Sequence, residues 1–499
     1  MHNKKVLEEL YEKGFLISVD VEPILSSLNE DEIRNLIKKL EEEKVLVVDK
    51  NVLEKFLEKK EEKPEEVIII DKKERYVGEE EELPIKIIKN IDIQKYEINV
   101  NTWISYFRHR INKIKKILRE HLDMKDMHSL SDVPSGRQVS IAGLIYDKRI
   151  TEKGVIFNLE DITGSIKVLV RKDVKNFDII KDIPLDSVIG FRGKMGNGIF
   201  YADDVIFPDV PIRNETKKGN IDSYIVFTGD FQFGNKAFIR EAFERFLDFL
   251  NGRYGNDKMK EISKKIGYVL IVGDNVDGVG IYGEQENELY AFSYEDQYKE
   301  FEKYLLSFPE HIKVVICPGN HDNVRLADPQ PPLSKDLVPE LKNLDNFYFI
   351  SSPGYVKIDE LTVLMYHGYT FDWFVSDIFY IRKKGGYENV QEIMKFMLMI
   401  RHLNPTHGSN PYIPYYNDDP LVIDLLPDIF HTGHIHRADY GVYRGIELFN
   451  SSTFQGLTKY QIEMGHKPEP GIVYLRNIKT GEVLSIDFIN EKISRCHNK

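Results

Sequence analysis

The chain has 499 residues, 42% of them hydrophobic and 30% charged, with a formal net charge of −13. That length predicts about three domains, and that apolar content excludes a disordered chain. The net acidity excludes a protein that grips nucleic acid with its whole surface, so any such contact must be local or shared with a partner. Its two cysteines, Cys317 and Cys496, lie far apart and read as free thiols in a reducing compartment, which predicts a cytoplasmic protein. The opening MHNKKVLEELYEKGF turns charged at once and no later apolar run approaches spanning length, so neither a signal segment nor a membrane partner is expected.

Residues 1–58 predict a small helical domain. Val6, Leu7, Leu10 and Phe15 recur at helical spacing, Asn29 and Glu32 form a capping-box pattern, and KVLVVD predicts a short strand or wing. Such a domain serves either partner docking or a purely structural end. Residues 59–100 carry mixed charge blocks and read as a linker. Residues 101–135 hold a basic amphipathic helix. Its apolar stripe is Trp103, Phe107, Ile111, Ile114, Leu118 and Leu122, and Arg108, Arg110, Lys113, Lys115, Lys116 and Arg119 make it the most basic stretch. The preferred reading is a packed helix with a solvated basic face, and the second is a contact to a phosphate backbone.

From 136 to 212 the period changes to two, with glycine turns such as MGNG. Five short strands suit an OB-type barrel, which binds either single strands or protein. Residues 221–490 alternate apolar strands with amphipathic helices such as AFIREAFERFLDFLN, predicting an α/β domain.

Five of those strands end alike. SYIVFTGDFQ ends at Asp230, GYVLIVGDNVDG at Asp274, IKVVICPGNHDN at Asn320, His321 and Asp322, LTVLMYHG at His367, and DIFHTGHIHR at His434 and His436. Ligands of open α/β sheets bind beyond the carboxyl ends of the strands, so these residues can converge. Each fragment alone also reads as a turn or a core histidine. Together they form an inventory of carboxylates, an amide and imidazoles suited to metal binding. Two ions about 3.5–4 Å apart would hold a phosphoryl group, with Asp274 bridging them. Mixed His/Asp/Asn ligands with open positions favour Mn²⁺ over a closed structural Zn²⁺ site. Glycines beside the ligands (Gly229, Gly273, Gly319, Gly368, Gly433) permit close backbone approach.

The ordered series Asp230–Phe231–Gln232, Gly273–Asp274, Gly319–Asn320–His321–Asp322, His367 and Gly433–His434–Ile435–His436 resembles the calcineurin-like metallophosphoesterase superfamily. More narrowly, VGDNVDGVGIYG, CPGNHDNVRLADPQPPL, IRHLNPTHG and NSSTFQGLTKYQ are similar to the small-subunit family of archaeal family D DNA polymerases. The resemblance implies a helical N-terminal domain, an OB barrel and an α/β phosphoesterase sandwich with flanking helices. It implies a 3′→5′ exonuclease with two Mn²⁺ ions, acting on a single-stranded or frayed 3′ end and partnered by a large catalytic polymerase subunit. One ion would take Asp230, Asp274 and His436, and the other Asp274, Asn320, His367 and His434. His321 would serve the leaving oxygen, with Asp322 orienting it. Arg325 and the loop bearing Tyr369, Phe371 and Trp373 are weaker candidates for substrate contact. Gln232 departs from the family pattern, which has a histidine ligand there. A weakened or purely scaffolding subunit and a stand-alone metallophosphatase are the alternative readings.

Overall fold

The computed structural model describes residues 76–497 except 79–81 and 92–94, with isolated positions between 16 and 48. Residues 1–75 and 76–499 form two separate compact units. In the first, Leu16–Ile17 pairs in parallel with Val47–Val48, so KVLVVD does contain a short strand. Leu36 and Leu40 are helical and buried. The other expectations for residues 1–58, including the Asn29 cap, lie outside the described residues.

The α/β region contains two sheets. The first runs Phe347–Phe349, Lys313–Cys317, Ile266–Val272, Tyr224–Thr228, Ile472–Asn477, Val483–Asp487, Lys492–Arg495. Its first four strands are parallel and its last three antiparallel. The second is also mixed and includes Gly354–Ile358, Leu361–Met365, Ile429–Thr432, Asp439–Tyr443 and Ile446–Asn450. The sheets face each other across a core in which Phe227 stacks on Phe449 at 4.1 Å, flanked by Leu270, Val272, Val363 and Met365. Helices Arg240–Leu250 and Tyr294–Leu305 cover the outer face of the first sheet through Phe243, Phe246 and Phe301. Helix Val390–Ile400 covers the second through Ile393 and Met397. Strands covered on both faces must be apolar throughout, which is why YIVF and YVLIV read as unbroken runs.

Residues 85–89 depart from the linker reading of 59–100. Ile85–Lys89 is an edge strand of the second sheet, antiparallel to Gly354–Ile358. Ile85 and Ile87 turn toward the core between the sheets, beside buried Leu83. The alternation IKIIK carries this strand, but the charge-rich stretch before it hides the period in any longer window.

Residues 138–206 form a closed five-stranded barrel. Gln138–Ile150 pairs with Gly154–Asp161, then Gly164–Arg171, then Ile199–Ile206, then Val188–Gly196, which returns to Gln138–Ile150. Only Gly164–Arg171 with Ile199–Ile206 is parallel in that ring. Helix Val100–Leu118, capped by the Asn99 side chain, lays Ile111, Ile114 and Leu118 against Ala142, Leu144 and Val188 of the barrel. The packed reading of this helix holds, but its basic face is not simply solvated. Arg110 is fully buried and paired with Asp419 at 2.6 Å, Lys115 pairs with Asp161 at 2.5 Å, and Lys113 pairs with Asp424 at 2.8 Å.

Candidate metal centre at the strand ends

The sandwich brings all five strand ends to one place. After Tyr224–Thr228, Asp230 accepts from the His434 backbone N–H at 3.0 Å and lies 3.4 Å from His436 Nε2. After Ile266–Val272, Asp274 accepts from the His321 backbone N–H at 2.9 Å, and its Oδ1 lies 3.3 Å from His367 Nε2. Asn320 Oδ1 approaches the same His367 nitrogen at 3.0 Å. His367 Nδ1 donates to the Val272 carbonyl at 2.9 Å, so Nε2 is the nitrogen turned into the site. Once a cation displaces the Nε2 proton, this is the orientation a metal-ligating imidazole needs, fixed by a backbone acceptor behind it.

Two groups of potential ligand atoms result. Asp230, Asp274 and His436 form one, and Asp274, His367 and His434 the other, with the atoms of each group within 4.8 Å of one another. Asp274 belongs to both. Burial opposes charge on His367, but the Asp274 carboxylate outweighs it and holds the ring up at about 10. On Asp274 burial is likewise overcome, here by His367 and His321, and the carboxyl is held well below the usual range.

The backbone at these positions is unusual. Asp230, Gln232, Asp274, His434 and His436 have φ of +50°, +57°, +47°, +71° and +56°. Left-handed backbone is uncommon for residues with a side chain, and such strain concentrates at functional sites. Two glycines beside the ligands are required by space. A Cβ on Gly319 would lie 2.2 Å from Asp274 Oδ1, and one on Gly433 2.2 Å from Asp230 Oδ2.

Gln232 lies inside this cluster. Its Nε2 donates to Asp274 Oδ2 at 3.1 Å and sits 3.4 Å from His436 Nε2, while its buried Oε1 has no hydrogen-bond partner. His436 Nδ1 faces the Gln461 amide nitrogen at 2.8 Å. A neutral imidazole has one acceptor nitrogen, so the two amides compete for it.

His321 and Asp322 follow different paths. The His321 ring is anchored through Nδ1 to the Asp277 carbonyl at 2.7 Å, with Nε2 3.9 Å from Asp274 Oδ2. Asp322 turns inward, accepting from Gly319 N–H at 2.8 Å, the Asn275 side chain at 2.9 Å and Tyr298 O–H at 2.8 Å. It shapes the loop, and the orienting contact expected of it is made by the Asp277 carbonyl instead. Burial together with the nearby Asp274 charge raises the Asp322 carboxyl to about 6.

Arg325 binds the Pro329 carbonyl at 2.5 Å and Tyr415 O–H at 3.0 Å, securing a loop rather than lining the cleft. Phe371 is fully buried, whereas Tyr369 and Trp373 line the cleft beside the site, which encloses about 730 Å³. A larger cleft of about 1170 Å³ lies elsewhere, between the barrel and the α/β region, and contains none of the strand-end ligands. Sequence reasoning missed Asp372, which accepts from His434 Nε2 at 2.9 Å and from Tyr387 O–H at 2.9 Å. Its only signal is its place in HGYTFDW, five residues after His367. Gln461, behind His436, carries no local signal beyond its capping box with Thr458.

Among the described residues, no helix is long and apolar enough to cross a membrane. Residues 225–440 match the family model for the B-type subunits of DNA polymerases alpha and epsilon. The chain is 36% identical to the DNA polymerase II small subunit of Methanocaldococcus jannaschii, covering 82% of this chain and 69% of that one. It is 34% identical to the protein of that name from Archaeoglobus fulgidus, covering 89% of each. For Methanothermobacter thermautotrophicus the identity is 32%, over 77% of this chain and 79% of the relative. At such identity over most of both lengths, the chain belongs to the archaeal DNA polymerase II small-subunit family.

Proposed function

We propose that this chain joins a large catalytic polymerase subunit in DNA replication and contributes a metal-dependent 3′→5′ exonuclease that removes unpaired nucleotides. Family membership supports the assembly role. The exonuclease reading rests on one observation above others: two ligand groups that share Asp274 at the ends of parallel strands. The two facing sheets support a metallophosphoesterase assignment for the α/β region, and the closed ring of five strands supports an OB-type barrel.

Asp230, Asp274 and His436 would hold one divalent ion, and Asp274, Asn320, His367 and His434 the other, with Mn²⁺ suited to this donor set. When bound, such a pair neutralises phosphoryl oxygens and supplies an activated water. The chain's own residues do the rest. The Val272 carbonyl fixes the His367 tautomer, and Asp372 does the same for His434. His321, pinned through Nδ1, keeps Nε2 toward the cleft, where it can carry a proton for the leaving oxygen. The test is Mn²⁺-dependent degradation of single-stranded DNA by the purified chain. His434→Ala should abolish it, and equal rates for the two proteins would sink the reading.

A second reading is favoured by Gln232. Its amide nitrogen lies between Asp274 and His436, two of the three ligands of the first ion, and so competes with that ion. Inverted, the amide would bring Oε1 against the Asp274 carboxylate, an arrangement made favourable by a cation between them. The subunit would then be a scaffold with a weakened first site. Metal stoichiometry decides: one ion in this chain and two in Gln232→His supports the weakened site, and two in both rejects it.

A further inference from the structure

Beyond the metal centre, the cleft beside the strand ends offers a phosphodiester little positive charge. Among the described residues that line it, none is lysine or arginine, while Asp274, Asp277, Asp322 and Asp372 all do. Cations next in sequence to lining residues are engaged elsewhere. Arg437 pairs with Glu469 at 3.2 Å, Lys459 with Glu284 at 2.9 Å, and Arg325 with the Pro329 loop. A strand held by its phosphates needs several such cations.

Instead the cleft has aromatic sides. Next to His321 stand Tyr282 and Tyr460, stacked on each other at 4.7 Å, with the Tyr282 ring 6.3 Å from that of His321. Next to His434 stand Tyr369, whose ring lies 6.2 Å from the imidazole, then Trp373 and Tyr387. Tyr460 is 42% exposed, and the other four are half-buried. Aromatic surfaces thus flank the reacting position on both sides. A base stacks on an aromatic ring whatever its identity, but only when freed from its own pairing.

We infer that, away from the metal centre, this cleft holds its substrate by stacking unpaired nucleobases on the aromatic walls, with Tyr282 and Tyr460 as the principal platform, and not by lysine or arginine contacts to phosphates. The inference rests on the nuclease reading and deepens it by naming what selects the substrate. An unpaired strand end fits, a duplex end presents no free base face, and a small phosphate ester without a ring has nothing to stack.

The test is binding of a single-stranded trinucleotide, short enough to occupy the cleft alone, measured by calorimetry on the full chain in EDTA so that no turnover occurs. Stacking predicts that an abasic nucleotide at the 3′ end weakens binding about tenfold or more. It also predicts a slope of log affinity against log salt shallower than about −1. Tyr282→Ala and Tyr460→Ala should erase the difference between the intact and abasic probes, and Tyr460→Trp should keep it, which separates lost stacking from a damaged fold. Equal binding of both probes, no binding of either, or a slope near about −1.4, the value for both phosphates of the probe neutralised, would overturn the inference. Mn²⁺-dependent turnover is scored separately. Stacking without turnover removes only the nuclease reading, and turnover indifferent to the terminal base removes only the stacking.

Discussion

Two regions of this molecule bury carboxylates beside imidazoles, and they are built on opposite principles. At the root of helix Val100–Leu118, Asp419 accepts from Arg110 at 2.6 Å, from His402 Nε2 at 2.9 Å and from Leu421 N–H at 3.1 Å. Arg110 spends its remaining donors on the Asp186 and Pro405 carbonyls and on Tyr106. Its charge is answered within the protein, so the cluster is closed. At the strand ends, Asp230 and Asp274 face imidazoles from positions of left-handed backbone, and Gln232 Oε1 has no partner. That cluster leaves a buried acceptor unanswered, which is what the metal proposal accounts for. A buried charge cluster therefore announces function by what it leaves unanswered, not by being buried.

The contrast can be broken first at Arg110. Arg110→Ala leaves Asp419 buried without its main partner and should cost about 3–5 kcal/mol of stability by denaturant titration, with Mn²⁺ affinity unchanged. A cost below about 1 kcal/mol would mean that the closed cluster is not structural. At the strand ends the order of effects should reverse. Asp372→Ala removes the acceptor behind His434 and should weaken Mn²⁺ binding by about 10–100-fold in calorimetric titration, with the melting temperature nearly unchanged.

A pH experiment sharpens the closed side. Burial holds the His402 imidazole down at about 4 despite Asp419. Between that value and its ordinary 6.5, the unfolded chain carries a proton that the folded chain lacks. Stability from this group is thus full above the ordinary value and lost as pH falls through 4, with a slope of about 1.4 kcal/mol per unit. His402→Gln should flatten the stability–pH curve by that amount relative to the parent, and coincident slopes would reject the assignment. The smallest effect is expected at Gln232. If its amide competes with the first ion, Gln232→Ala should tighten Mn²⁺ binding several-fold although it deletes a polar side chain, and weaker binding would make Gln232 a ligand after all.

Much of the site was legible in the sequence because each ligand follows a short, mostly apolar strand. Glycines beside Asp274 and Asp230 gave a second, steric signal. What stayed hidden was whatever depends on distant pairing. Arg110 reads as surface charge on a basic helix, and only Asp419, 309 residues away, makes it interior. Ile85–Lys89 is invisible beneath its acidic neighbourhood until Gly354–Ile358 supplies the adjacent strand. Asp372 and Gln461 act through the far side of an imidazole, which imposes no spacing rule. Asp322 was misassigned for a related reason: adjacency to His321 in sequence does not decide which way a carboxylate turns in a tight loop.

The left-handed backbone at Asp230, Gln232, Asp274, His434 and His436 also bears on how such a protein drifts. At each of these positions glycine is the conformationally easiest residue, by about 1 kcal/mol or more. Replacement by glycine therefore relaxes the backbone even as it removes a side chain from the site. Once a lineage keeps the subunit for its contacts alone, the strand ends erode with a gain in stability, and rebuilding them means climbing back up.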